Sequence, residues 1–171
     1  MAGDPAACEV AHGGAEPQRA ERTLVAVFAS PVSRFLLSYA KDLGYRPVLF
    51  EPDAARATDV EGFETVATVP ALDASADVVV TDHHRPELGQ VLQAALGAGP
   101  ARWIGVLGNP RHPGPHISAL HALGVADAEI ARVHRPVGLN IGSRTPAEIA
   151  VATLAGLLAD RNGRPGGFEF P

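Results

Sequence analysis

Cysteine and lysine each occur once in this chain of 171 residues, as Cys8 and Lys41. A single thiol excludes an internal disulfide framework and suits a reducing, cytoplasmic setting. No residue near Cys8 would lower its pKa, so the sequence indicates no reactive thiol there. With lysine nearly absent, the positive charge is almost all arginine, which suits planar, bidentate contact with phosphate or carboxylate. Positive charge is also the minority sign: 14 basic against 19 acidic residues leave a net charge of −5. That excludes a general nucleic-acid or anionic-membrane surface, which needs a basic face. No apolar run approaches the roughly 20 residues that span a bilayer. The start of the chain lacks the basic segment and apolar stretch of a secretory signal.

The chain is not short of apolar residues, which make up 46% of it. A chain of this length is expected to form one domain with a full core. Residues 1–22, rich in Ala, Gly, Pro and Glu without periodicity, read as a loose tail; His12 there has no partner at metal-ligand spacing. The domain is expected over 23–160, and 161–171 reads as a second tail.

Strands and helices then alternate. The apolar run Thr23–Ala29 suits a strand buried on both faces of a parallel sheet. Residues 32–43 carry Phe35, Leu36, Tyr39, Ala40 and Leu43 at helical spacing, stopped by Gly44. A second strand, Tyr45–Glu51, completes a βαβ unit of about 30 residues. Further strands are predicted over 63–69, 76–81 and 102–108, with helices over 86–96, 116–123 and 127–132. The first of these helices turns Leu88, Val91, Leu92, Ala95 and Leu96 inward. The fold class is therefore α/β: a doubly wound, mainly parallel, Rossmann-like sheet in three α/β/α layers.

Glycine is missing where a dinucleotide site would need it. A Rossmann first turn lets the backbone approach a pyrophosphate through its glycines. Here that turn reads Phe28-Ala-Ser-Pro-Val-Ser33, and Pro31 removes one N–H from the helix start. Ser30 and Ser33 remain as hydrogen-bond donors. Glu51 and Asp53 stand where a ribose-binding carboxylate belongs, or form a solvated strand end.

Two more segments leave predicted strand ends, where open α/β sheets bind ligands. Thr81-Asp-His-His-Arg85 offers Asp82, His83 and His84 for metal or proton transfer. Successive strand residues face opposite ways, so the three cannot ligate one ion without a bend, and a plain strand-end loop is the favoured reading. The other segment is Gly108-Asn-Pro-Arg-His112. Segments 29–34, 81–85 and 108–112 are expected to converge on one sheet edge, with the loop 134–145 capping it. That loop packs His134, Arg135, Asn140, Ser143 and Arg144 around Gly138 and Gly142. It enters a helix over 146–159 through Thr145, Pro146 and Glu148, a capping-box pattern. The helix is almost wholly apolar, so it is expected to be buried.

At these residues the chain resembles a known family. Trp103-Ile-Gly-Val-Leu-Gly-Asn109, Leu123-Gly-Val125, and Ala131 through Ala150 resemble the C-terminal Rossmann-like domain of the XdhC/CoxI family, accessory factors of xanthine dehydrogenase and related molybdenum hydroxylases. Val78-Val-Val-Thr-Asp-His-His84 is similar to that family's strand ending in histidines. The resemblance implies a chaperone that binds molybdenum cofactor, as molybdopterin or its dinucleotide, and delivers it to a xanthine dehydrogenase-like apoenzyme. Such a cofactor is anionic, so arginines and helix N-termini are fitting donors. Under the resemblance the cofactor-binding set is Ser30, Ser33, Asp82, His83, His84, Gly108, Asn109, Arg111, His134, Arg135, Gly138, Asn140, Gly142, Ser143, Arg144 and Thr145, with Arg135, Arg144 and Arg111 as its cations. His134 either donates to the ligand or caps a backbone carbonyl. No catalytic residue and no metal ligand is expected. The family's N-terminal domain has no counterpart before the first strand, so it is expected on a separate protein or dispensed with. A homodimer is a default for such folds. Two other readings stay open: an NAD(P)-dependent Rossmann oxidoreductase, and a docking module of a hydroxylase maturation complex that binds no small molecule.

Overall fold

The computed structural model describes residues 21–109 and 111–167. The expected N-terminal tail, with Cys8 and His12, lies outside these apart from Glu21 and Arg22, as do Pro110 and the last four residues. The elements in order are β1 (Arg22–Val27), α1 (Pro31–Asp42), β2 (Tyr45–Phe50), α2 (Ala54–Ala57), β3 (Glu64–Val66) and β4 (Ala76–Val80). There follow α3 (Leu88–Gly97), β5 (Trp103–Val106), α4 (Pro115–Ala122), α5 (Asp127–Ile130), β6 (Val133–His134) and α6 (Pro146–Arg161).

The six strands form one sheet in the order β3-β2-β1-β4-β5-β6. Every pairing is parallel. The chain winds outward from β1 in one direction, then crosses back to β4 and winds the other way, as a doubly wound sheet does. Alternation along the strands divides the core. Val25, Val27, Val78 and Val80 face Leu88, Leu92 and Leu120 on one side. Leu24, Ala26 and Val79 face Leu36, Leu37, Ala150, Leu154 and Leu157 on the other. Both faces are covered, which is why β1 and β4 read as continuous apolar runs. Leu36 and Leu37 are fully buried, and each such leucine stabilises the fold by roughly 1.5–3 kcal/mol.

Helix starts are set locally. Ser30 caps α1 and Thr145 caps α6, each in a reciprocal capping box with Pro at the first helical position. At the amino edge of the sheet Asp77 is fully buried and accepts from Tyr45, Arg102 and Arg161. Arg102 continues to Asp160 on α6. This network ties the end of the last helix to the strands. Residues from 161 on, expected as a tail, begin inside this network, and Gly166 lies against Leu139.

Two expectations are corrected here. The stretch from Val133 opens as a sixth strand, paired to β5, before it becomes a loop. A strand of two residues is too short to leave an alternation pattern. And α6 is not buried all round: Val151 is 50% exposed, beside buried Ala150, Leu154 and Leu157. Among the described residues no helix is long and apolar enough to cross a membrane.

Candidate functional site

The turn after β1 is filled by the protein itself. Phe28 adopts φ 71, a left-handed conformation that a bulky residue rarely takes, at the place where a glycine would be usual. Its ring is fully buried, and the Arg85 guanidinium lies 4.5 Å from its centroid. The Ala29 N–H donates to the Glu51 carboxylate at 2.8 Å, and the Asp53 N–H donates to the same group at 3.0 Å. Arg85 grips Glu51 through both terminal nitrogens, at 3.0 and 2.9 Å. Burial alone would push the Glu51 carboxyl up; the Arg85 hydrogen bonds, the two backbone donors and the Arg85 charge overcome it and hold it low. Glu51 is therefore neither free for a ribose nor a solvated strand end, and Asp53 instead caps α2 through the Ala55 N–H.

The two serines of this turn are also committed. The Ser30 N–H donates to Ser33 Oγ, the Ser33 N–H to Ser30 Oγ, and Ser33 Oγ to the Ser30 carbonyl. Ser33 is fully buried. Ser30 Oγ lies 2.9 Å from Thr81 Oγ1, which joins the first turn to the end of β4.

One sheet interval away, between the β4, β5 and β6 ends, a cleft of about 500 Å³ is open. His83, His84, Asn109, His112, Pro113, Pro115 and Arg135 line it. Asp82 does not; its carboxylate accepts the His84 N–H and shapes the loop. The His83 and His84 rings lie 4.1 Å apart. Burial, then His84 and the Arg135 charge, push the His83 imidazole below its ordinary pKa, against smaller pulls from Asp82 and from a hydrogen bond to the Leu107 backbone. Arg135 leaves β6 and donates to the carbonyls of His112 and Asn109, at 2.8 and 2.9 Å. Its Nε is buried without a partner. Gly108 makes this pose possible: a Cβ there would stand 2.6 Å from Arg135 Nη2. Behind the cleft, His116 in the first turn of α4 is buried, and its Nδ1 has no partner. Burial, then the Arg135 charge, push its imidazole below the ordinary histidine pKa. Arg111, exposed on the loop, gives its backbone N–H to the Asn109 side chain.

The rest of the 134–145 loop goes elsewhere. His134 stacks on the Trp103 indole at 5.0 Å and 3° between planes, so it neither caps a carbonyl nor lines the cleft. Gly138 (φ 89) presses against the α6 backbone at Ala152, and the Leu139 N–H donates to the Ala152 carbonyl. This segment runs beside α6 and does not cap the sheet edge. Asn140, Gly142, Ser143 and Arg144 lead into the helix. There Glu148 accepts the N–H groups of Arg144 and Thr145, so the α6 start is self-capped as well.

The sequence matches the XdhC Rossmann domain family over residues 24–157. The chain belongs to that family. It is 33% identical over 160 residues to the uncharacterized protein YqeB of Escherichia coli K12, covering 84% of this chain and 28% of that one. The XdhC-type domain thus spans little more than a quarter of that relative. A solved structure described as a xanthine dehydrogenase from Bacillus halodurans superposes with a TM-score of 0.65, covering 84% of this chain and 45% of that one. At 22% identity that likeness is one of fold.

Within this XdhC domain, the expected segments 29–34, 81–85 and 108–112 come together at the carboxyl edge, the first two through Ser30 and Thr81 and the last two as His83, His84, Asn109 and His112 of one cleft. His83, His84, Asn109 and Arg135 share the cleft, with Gly108 supporting Arg135. Arg144 and Arg111 are not among its lining residues. Sequence reasoning missed His112 and His116 as neighbours of Arg135. The signal was the recurrence of histidine within a Gly- and Pro-rich segment just after β5. It also missed that Arg85 and Glu51 pair across the sheet.

Proposed function

We propose that this chain is an accessory factor of a molybdenum hydroxylase of the xanthine dehydrogenase kind, and that it holds a molybdopterin-type cofactor for delivery to the apoenzyme. The observation that carries this reading is the chemistry of the cleft between the β4, β5 and β6 ends. Its lining offers three histidines, an asparagine and an arginine, and no carboxylate. Arg135 has five N–H donors and spends two hydrogen bonds on carbonyls of the segment after β5, leaving capacity for an anion. Such a donor-rich surface fits an anionic, phosphate-bearing pterin. Arg135, Asn109, His83 and His84 would hold it. The cofactor itself supplies the redox chemistry of the hydroxylase; these residues bind and orient it.

An NAD(P)-dependent oxidoreductase has weaker support. Its pyrophosphate would need the first turn, where Phe28 fills the space and the Ala29, Ser30 and Ser33 N–H groups are already bonded.

The test is cofactor release. Protein purified from molybdopterin-producing cells is denatured and oxidised, and the extract is read for pterin fluorescence, with nucleotides separated alongside. Stoichiometric pterin is expected, falling about tenfold or more in Arg135→Ala, which loses a charge-assisted contact. Loss in Arg144→Ala but not in Arg135→Ala would move the site to the start of α6. Absence of pterin with bound NAD or NADP would replace this reading by the oxidoreductase. Absence of both would leave a docking module.

A further inference from the structure

We propose that the cleft between the β4, β5 and β6 ends is an oxyanion site for a phosphate-class group, and that the anion is bound together with a proton taken up by His83. This deepens the proposed function and rests on it for the identity of the natural ligand only.

The argument starts from what surrounds His83. Its own loop supplies the His84 ring at 4.1 Å and Asp82, whose carboxylate is engaged by the His84 N–H. From β6 comes the Arg135 guanidinium; from the segment after β5 come Asn109 and His112, which share the cleft lining. Buried His116 lies behind Arg135. The free cleft thus gathers one permanent cation and several imidazoles, and Asp82 is the carboxylate among the charged neighbours of His83. Protonating His83 there places a second cation beside the first, which is why burial, His84 and Arg135 depress its pKa. An arriving dianion reverses the balance. It neutralises the Arg135 field and offers an acceptor to the imidazolium, so His83 gains a proton as the anion settles.

The unpartnered Arg135 nitrogen agrees with this reading. Arg135 Nε, on the one permanent cation of the cleft lining, is buried and lacks a hydrogen-bond partner. A buried donor left unmade is costly, and the Arg135 guanidinium keeps further N–H capacity beside it. Gly108 keeps the guanidinium flat against the strand end, where any side chain would displace it.

The probe is sulfate, a dianion across the whole titration range of histidine, so that any pH dependence belongs to the protein. Binding to the full chain is measured by calorimetry and by histidine NMR between about pH 6 and pH 8. The dissociation constant is expected to tighten several-fold as pH falls, up to about tenfold per pH unit in the interval between the free and bound His83 pKa values. The His83 resonance is expected to titrate at higher pH with sulfate present. His83→Gln is expected to keep its fold by circular dichroism, to bind sulfate weakly, and to lose most of the pH dependence. His121→Gln, at the far end of α4 where the ring pairs with Asp127, is the control and is expected to match the parent. Gly108→Ala is expected to weaken sulfate at every pH by displacing Arg135. Sulfate affinity that is equal at both ends of the range, or pH dependence that survives unchanged in His83→Gln, overturns the inference. So does the lack of saturable sulfate binding. Pterin in the purified protein with pH-independent sulfate binding would keep the accessory-factor reading and reject this one. Proton-linked sulfate binding without pterin would do the reverse.

Discussion

Glu51 shows most directly how a single side chain decides what this sheet can bind. Its carboxylate occupies the backbone donors of the first turn and is locked by Arg85. Removing one partner of such a buried pair strands the other, so Glu51→Gln is expected to destabilise the protein by about 3 kcal/mol, read as a lower urea midpoint. The sign of the pH effect follows from the depressed carboxyl. Its stabilisation is fully present above the unfolded glutamate pKa of about 4.3 and is lost as pH falls through the lower folded value. Acid titration of the folded state is therefore expected to show a step below about pH 4.3 that Glu51→Gln flattens. Gly138 is decisive for a different reason. It has φ 89, and a Cβ would lie 2.9 Å from the α6 backbone, so Gly138→Ala is expected to cost about 2 kcal/mol or more in thermal or urea unfolding. At this scale the sequence was partly legible. Acidic Glu51 after a strand was visible as a carboxylate with a role, but its partner stands 34 residues on, beyond the end of β4 and across β1 in the sheet. Arg135 and Arg144 looked equivalent in the loop, and only the fold separates one that lines the cleft from one that does not.

Elements were the most legible scale, because their signals are local. Period and caps place α1, α3, α4 and α6 to within one or two residues, and Thr145, Pro146 and Glu148 mark the start of α6 as the structure has it. Thr145→Ala removes that cap, and a loss of about 1 kcal/mol is expected in the urea midpoint, with helix content nearly unchanged by circular dichroism. What the pattern could not give was β6, two residues long and recognisable only by its pairing to β5. Nor could it show that α6 packs against a second backbone. A Cβ on Gly156 would stand 2.9 Å from Gly138 Cα, so helix and loop touch with no side chain between them. The apolar composition of α6 suggested complete burial, whereas Val151 on the helix, and Ile141 in the loop before it, are exposed among the described residues.

For the whole molecule, the amino edge of the sheet is held by charge and the carboxyl edge is left for chemistry. Asp77, fully buried, takes hydrogen bonds from Tyr45, Arg102 and Arg161 and so joins β2, β4, β5 and α6. Asp77→Asn leaves Arg161 without its counter-ion and Arg102 with Asp160 alone, and a cooperative loss of about 3 kcal/mol is expected by calorimetry. His83 at the opposite edge lies outside this network, so His83→Gln is read as a change in binding once circular dichroism shows the fold kept. The outermost strands have a consequence for assembly. β3 has three residues and β6 has two. Each rim thus presents a stub of unpaired backbone too short to template a further strand, the device by which natural sheets avoid edge-to-edge growth. Sheet continuation across subunits is therefore disfavoured at both rims of the described domain, and a subunit joined to it is expected to be recognised mainly through side chains.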